Sequence, residues 1–194
     1  VTDAHTDFAS SFREDHWFNI AGIDVWNDSA RSLAIIGNSI TDGKCSTTNG
    51  QDRWPDILSE TLQDKYNVKD LGILNLGIGN NRVTLPGGFG YVARKRFDHD
   101  ILGQSGIQSV VIFEGVNDIA ASKGNGETVV RKLIESYIEM IRKAKDHHLK
   151  VYLGTITPFL GSGVYSVSHE AAREEVNDWI RSQKDKVDGI LDFD

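Results

Sequence analysis

The chain has 194 residues, enough for one domain burying about 70% of its unfolded surface and too few for two comfortable ones. Hydrophobic residues at 39%, charged residues at 25% and four tryptophans describe an ordinary globular chain, not a disordered, collagen-like or membrane one. The formal charge of −7, with basic residues scattered rather than striped, argues against a nucleic-acid partner, because phosphate binding needs clustered cations.

Residues 1–30 hold Phe8, Phe12, Trp17, Phe18, Ile20, Ile23, Val25 and Trp26 without a clear period, and read as a docking arm ahead of a domain at 31–194. The opening residues have neither a basic start nor an apolar h-region, and no stretch approaches the ~18 apolar residues of a membrane span. The first strand is "SLAIIG" (32–37), followed by a single cysteine, Cys45, which excludes an internal disulfide and reads as a bystander, not a nucleophile. "RWPDILSETLQDKY" (53–66) predicts a helix with Trp54 packing at its start, and "LGILNLG" (71–77) a second strand. Region 78–107 shows no clean element; "LPGGFGYVARKRFDHDIL" predicts a loop with a short helix over the sheet's edge. "SVVIFEG" (109–115) is a third strand. In "ETVVRKLIESYIEMIRKAKDHH" (127–148), Val130, Leu133, Ile134, Tyr137, Ile138 and Ile141 recur at steps of three and four, predicting one apolar helix face. "KVYLGTIT" (150–157), a helix at 168–183 begun by Ser168 and Glu170, and "DGILDFD" (188–194) complete the pattern. Strands alternating with helices imply right-handed crossovers and a parallel sheet covered on both faces, here five strands in the order 2-1-3-4-5.

In such a sheet chemistry sits beyond the carboxyl ends of the strands. Three ends carry polar residues: Gly37-Asn38-Ser39, then Gly77-Ile78-Gly79-Asn80-Asn81-Arg82, then Gly115-Val116-Asn117-Asp118. A hydroxyl to attack, backbone N–H groups beside glycine and an amide to donate to an oxyanion are what acyl transfer needs. Each has a plainer reading as well. Gly77 and Gly79 suit a tight turn, and they lack the third glycine of a dinucleotide site. Asn117 and Asp118 suit a helix cap, Asn81 and Arg82 either line the pocket or brace the loop, and His169 at a helix start is explained by capping.

Together, "GNSITDG" (37–43), "NLGIGNNRV" (75–83) and "EGVNDI" (114–119) resemble the first three blocks of the SGNH, or GDSL-type, hydrolases. The resemblance runs from about residue 32 to the end and includes "STTNGQDRWPDIL", "RFDHDIL" and "KVYLGTITPF", which are similar to esterases that follow a small β-sandwich module. It implies a flavodoxin-like three-layer α/β/α fold and an arm at 1–30 that is the remnant of such a module. It also implies hydrolysis of esters, often acetylated carbohydrates or lipids, without metal or cofactor, by a protein whose secretion is favoured. Ser39 is then the nucleophile. Its own N–H, Gly77 N–H and the Asn117 amide form the oxyanion hole, with Asn38, Asn81, Arg82 and Asp118 as candidate support. Two positions depart from the pattern. Asn38 stands where the family has aspartate, a residue that supports the turn. The family's base lies in an Asp-x-x-His block after the fifth strand, and no such block occurs up to Asp194. "DHDIL" and "DHHLK" do not replace it. The chain thus reads as a C-terminally truncated domain, or one whose site is completed by a further segment or a second chain. The competing readings are a non-catalytic carbohydrate-binding or scaffold domain and a phosphate binder of the same fold.

Overall fold

The computed structural model describes residues 22–194; most of the expected arm, residues 1–21, lies outside the described residues. Five strands, β1 (Arg31–Gly37), β2 (Leu71–Gly77), β3 (Ile107–Phe113), β4 (Lys150–Gly154) and β5 (Gly189–Leu191), form one parallel sheet in the order β2-β1-β3-β4-β5. The helices are α1 (Ser39–Asp42), α2 (Trp54–Asp64), α3 (Ala93–Phe97), α4 (Val116–Ala120), α5 (Gly126–Asp146) and α6 (Val167–Ser182), with one π-helical turn at Asp98–Leu102.

Alternation along each strand sends side chains to opposite faces. Ala34, Ile36, Val110 and Ile112 pack with Phe97 of α3, Leu133 and Met140 of α5, and Val176 and Ile180 of α6. Leu33, Ile35, Val111 and Phe113 meet Trp54 and Leu58 of α2 on the other face. This is the three-layer flavodoxin-like arrangement. Because β1 lies between β2 and β3, the first crossover runs to β2 on one side and the later ones to the other, so loops diverge beside β1 and open a crevice at the carboxyl ends.

Several details differ from the expectations. On α5 the buried stripe is Val129, Val130, Leu133, Tyr137, Met140 and Ala144, while Ile138 is 53% exposed, one step off the stripe. β4 ends at Gly154 and not at residue 157, because the backbone of Ile156 is taken by a side chain: its N–H donates to Asn177 Oδ1 at 2.7 Å and its carbonyl accepts from Asn177 Nδ2 at 2.9 Å. β5 stops at Leu191, and beyond it Thr155 Oγ1 donates to Asp192 and accepts from Phe193 N–H. α6 begins one residue early, capped by Ser166, whose hydroxyl accepts the His169 N–H, and not by Ser168. No helix among the described residues is long and apolar enough to cross a membrane.

Candidate active site

β1 leaves the sheet at Gly37, where a Cβ would meet Thr41 Oγ1 at 2.2 Å, so only glycine lets α1 fold back onto the strand. Asn38, extended and 2% exposed, caps α1 by accepting the Ile40 N–H at 3.0 Å. Ser39 follows in the first turn, half-buried, where helix N–H groups have no partner within the helix. Among the described residues neither its N–H nor its hydroxyl is hydrogen-bonded. Trp54 donates to Thr41 Oγ1 at 3.3 Å and stands edge-on to Phe113, ring centroids 6.1 Å apart, which makes it a packing residue under α1.

β2 ends level with β1, Gly77 opposite Gly37. A Cβ on Gly77 would lie 2.3 Å from the Asp42 nitrogen, so glycine here serves the close approach of α1. Its N–H donates to Asn75 Oδ1 at 3.0 Å. That bond commits, within the chain, the hydrogen that the expectation gave to the oxyanion. The next two amides are committed as well, Ile78 N–H to Gly37 O and Gly79 N–H to Asp42 Oδ2, both at 3.0 Å. Asn80 comes next, in the left-handed region at φ 53°, and its N–H has no acceptor among the described residues. Asparagine is one of the few side chains that tolerates this conformation, and the pair Asn80-Asn81 was the signal in the sequence.

β3 runs into α4 through Gly115, at φ 119°, where a Cβ would meet Tyr137 Oη at 2.9 Å. Asn117, half-buried, spends one amide hydrogen on the Asn81 carbonyl at 2.8 Å and keeps the other. Asp118 is fully buried. Its carboxylate accepts Val83 N–H at 2.7 Å, Thr84 N–H and Oγ1 at 2.9 Å each, and Leu85 N–H at 3.0 Å. Asn81, also fully buried, donates to the carbonyls of Phe89 at 2.7 Å and Tyr91 at 3.0 Å. Asn81 therefore braces the loop after β2, and Asp118 clamps that loop to α4. Arg82 donates from Nη1 to Pro86 O at 2.8 Å.

Two buried charged residues near the strand-end turns, Arg96 and Glu114, escaped sequence reasoning. Arg96, 4% exposed on α3, donates to Leu76 O at 2.8 Å, Gly37 O at 3.2 Å, Asn81 Oδ1 at 3.2 Å and Asp100 at 2.9 Å. It ties the ends of β1 and β2 together beneath the turns. Glu114, 1% exposed, accepts Gly115 N–H at 3.2 Å; its other oxygen lacks a hydrogen bond by geometry although the Asn38 side chain lies beside it. Burial pushes its carboxyl well above the usual carboxylate range, and Asp118 adds to that rise while Arg96 opposes it. An amide at position 38 faces this acid without adding a second one. Because the folded state holds the proton more tightly than the unfolded, stability falls as pH rises above the unfolded pKa of about 4.3, until the folded carboxyl itself ionises. Each unit of that window costs about 1.4 kcal/mol. Glu114→Gln should therefore lose less stability than wild type between pH 5 and pH 8, measured by urea unfolding. Parallel pH profiles for the two proteins would refute it.

The ends of β2, β1 and β3 stand side by side, about 4.8 Å apart per strand, so Ser39, Asn80 and Asn117 share one rim. No described histidine bonds to Ser39. His99 has a 93% exposed side chain paired with Asp100, His147 bonds the carbonyl of Lys143 at the far end of α5, and His169 faces Val164 O at 2.7 Å.

Solved structures with this fold include a protein assigned to the G-D-S-L lipolytic family from Desulfitobacterium hafniense DCB-2, 24% identical over 84% of this chain and 77% of that one, TM-score 0.63. The SGNH-hydrolase family esterase AlinE4 is 14% identical over 86% and 77% of the two chains, and the acetyl xylan esterase AlAXEase 22% over 84% and 77%, each with TM-score 0.61. No curated protein sequence matches significantly. Residues 35–194 match the GDSL-like lipase/acylhydrolase family along their whole length, and they contain all three strand-end turns, so the chain belongs to that family.

Proposed function

We propose that this protein is a serine esterase in which Ser39 attacks the carbonyl carbon of a carboxylic ester, with acetylated carbohydrates as the substrate class. The observation that carries the reading is the uncommitted set of donors on one rim: the Ser39 N–H, the Asn80 N–H and the second hydrogen of the Asn117 amide. Three preorganised donors around a hydroxyl suit the oxyanion of a tetrahedral intermediate. Asn80 takes the place first expected for Gly77. In the reaction the Ser39 proton passes to a histidine base, the C–O bond to the alcohol breaks with return of that proton, and water then releases the acid from the acyl-serine. Within this reading Asn38 holds the turn that aims Ser39, and Asn81 and Asp118 hold Asn80 and Asn117. The likeness to an acetyl xylan esterase supports carbohydrate esters.

The test is the Asn117 side chain. In enzyme supplied with its base, Asn117→Ala should lower kcat by roughly 10²–10³ with little change in KM, because the donor acts mainly in the transition state. Asn117→Asp should be at least as damaging, since it puts an acceptor and a charge where a donor is needed. Wild-type kcat in Asn117→Ala would return the residue to its bond with Asn81. The unbonded Ser39 hydroxyl favours a second reading, a carbohydrate-binding domain without chemistry. A fluorophosphonate probe separates the two, because labelling needs an activated serine.

A further inference from the structure

The loop that follows the Asn80-Asn81 turn wraps an open pocket of about 150 Å³, lined by Arg82, Phe89, Tyr91 and Lys95 with Pro86 and Gly87 at its edge. No aspartate or glutamate lines it. Arg82 is unlike its fellows. Every other arginine among the described residues pairs with a carboxylate, whereas Arg82 and Lys95 have none. Arg82 Nε is in addition buried without a hydrogen-bond partner. In a chain of net charge −7, these two cations on one pocket wall concentrate positive charge there, and Arg82 Nε is desolvated without a hydrogen bond in return. Beside them stand two aromatic rings, Phe89 65% and Tyr91 78% exposed. Such rings offer flat apolar faces to a sugar, and Tyr91 adds a hydroxyl.

The pocket adjoins the rim of the candidate site. Its wall residue Asn81 accepts the Asn117 amide, Phe89 N–H bonds Asn80 O at 3.3 Å, and the Phe89 ring lies 4.0 Å from where a Gly79 Cβ would be. The loop is held in place by the Asn81 bonds to Phe89 O and Tyr91 O, so the aromatic lip has a fixed relation to the reacting end.

We propose that this pocket is a subsite for a carboxylate-bearing sugar, so that the substrate is an acylated, uronate-containing oligosaccharide. The choice of substrate rests on the esterase reading, but binding of the acidic sugar does not. Arg82, whose Nη1 is held by Pro86 O, keeps Nη2 and the guanidinium charge for a carboxylate, Lys95 adds a second positive charge on the pocket wall, and the rings carry the sugar face.

The experiment is titration calorimetry of the 194-residue chain with an oligogalacturonide, a neutral xylo-oligosaccharide of equal length, and an oligoglutamate of equal charge. Oligogalacturonide should bind best, with affinity that falls as salt is raised. Lys95→Glu, at an exposed position with no bond to lose, should weaken it roughly tenfold or more, and Arg82→Met at least as much. Equal binding of the neutral sugar, or no effect of Lys95→Glu, overturns the proposal. Oligoglutamate binding as tightly as the sugar overturns it in favour of an acidic peptide. Hydrolysis of p-nitrophenyl acetate, assayed separately, reports on the esterase reading alone.

Discussion

A peptide or second chain carrying an Asp-x-x-His segment should raise the rate of p-nitrophenyl acetate hydrolysis by this protein by several orders of magnitude, and Ser39→Ala should erase the gain. A serine hydroxyl is a poor nucleophile near neutral pH until a base takes its proton, and the base works best as a histidine whose tautomer a carboxylate fixes. Among the described residues Ser39 has the donors and no histidine bonded to it: its hydroxyl is unbonded, and His99, His147 and His169 are each bonded elsewhere. Oxyanion donors and binding alone can still give ~10³–10⁴ over water, so the chain by itself should show feeble turnover and not none. The assay compares the chain alone, the chain with the segment, and both with Ser39→Ala. If the chain alone matches the complemented one while Ser39→Ala silences both, then a histidine within residues 1–194, such as His99 or His169, is the base and no further segment is needed.

The sheet was legible because its strands are short apolar runs closed by glycine, and the order followed from where the polar turns fall. Ser39 and Asn117 stood out as polar residues directly after such runs. Which amide after β2 stays free is not legible in the sequence, for a physical reason. Four successive amides, Gly77 to Asn80, are chemically alike in sequence, and only the acceptors placed by Asn75, Gly37 and Asp42 decide which one stays free. Arg96 and Glu114 were invisible for a similar reason: a charged residue in a short helix or at a strand end reads as surface until its buried partners are known. α4, five residues long, has too few turns to show a period. The end of β4 is set by Asn177, 21 residues beyond Ile156 on α6, a tertiary contact without any local mark.

Asp118→Ala should be the most damaging single change to the fold around the site, lowering stability by about 3–5 kcal/mol. The carboxylate is completely buried, and it satisfies three consecutive backbone N–H groups and the Thr84 hydroxyl. Removing it leaves those donors unpaired where water cannot easily replace them. For a domain of this size that loss lowers Tm by roughly 6–20 °C, at about 2–4 °C per kcal/mol. Asp118→Asn keeps one acceptor oxygen and should fall between wild type and alanine. Stability is not the only readout. Residues 83–85 continue directly from Asn80-Asn81, so a released loop takes with it both the Asn80 amide and the carbonyl that orients Asn117. Esterase activity in Asp118→Asn should therefore drop more than its stability at the assay temperature explains, mainly in kcat. Urea unfolding and steady-state kinetics on the two variants check this. An alanine variant within about 1 kcal/mol of wild type would show that the clamp is dispensable, since changes away from buried networks usually cost no more than that.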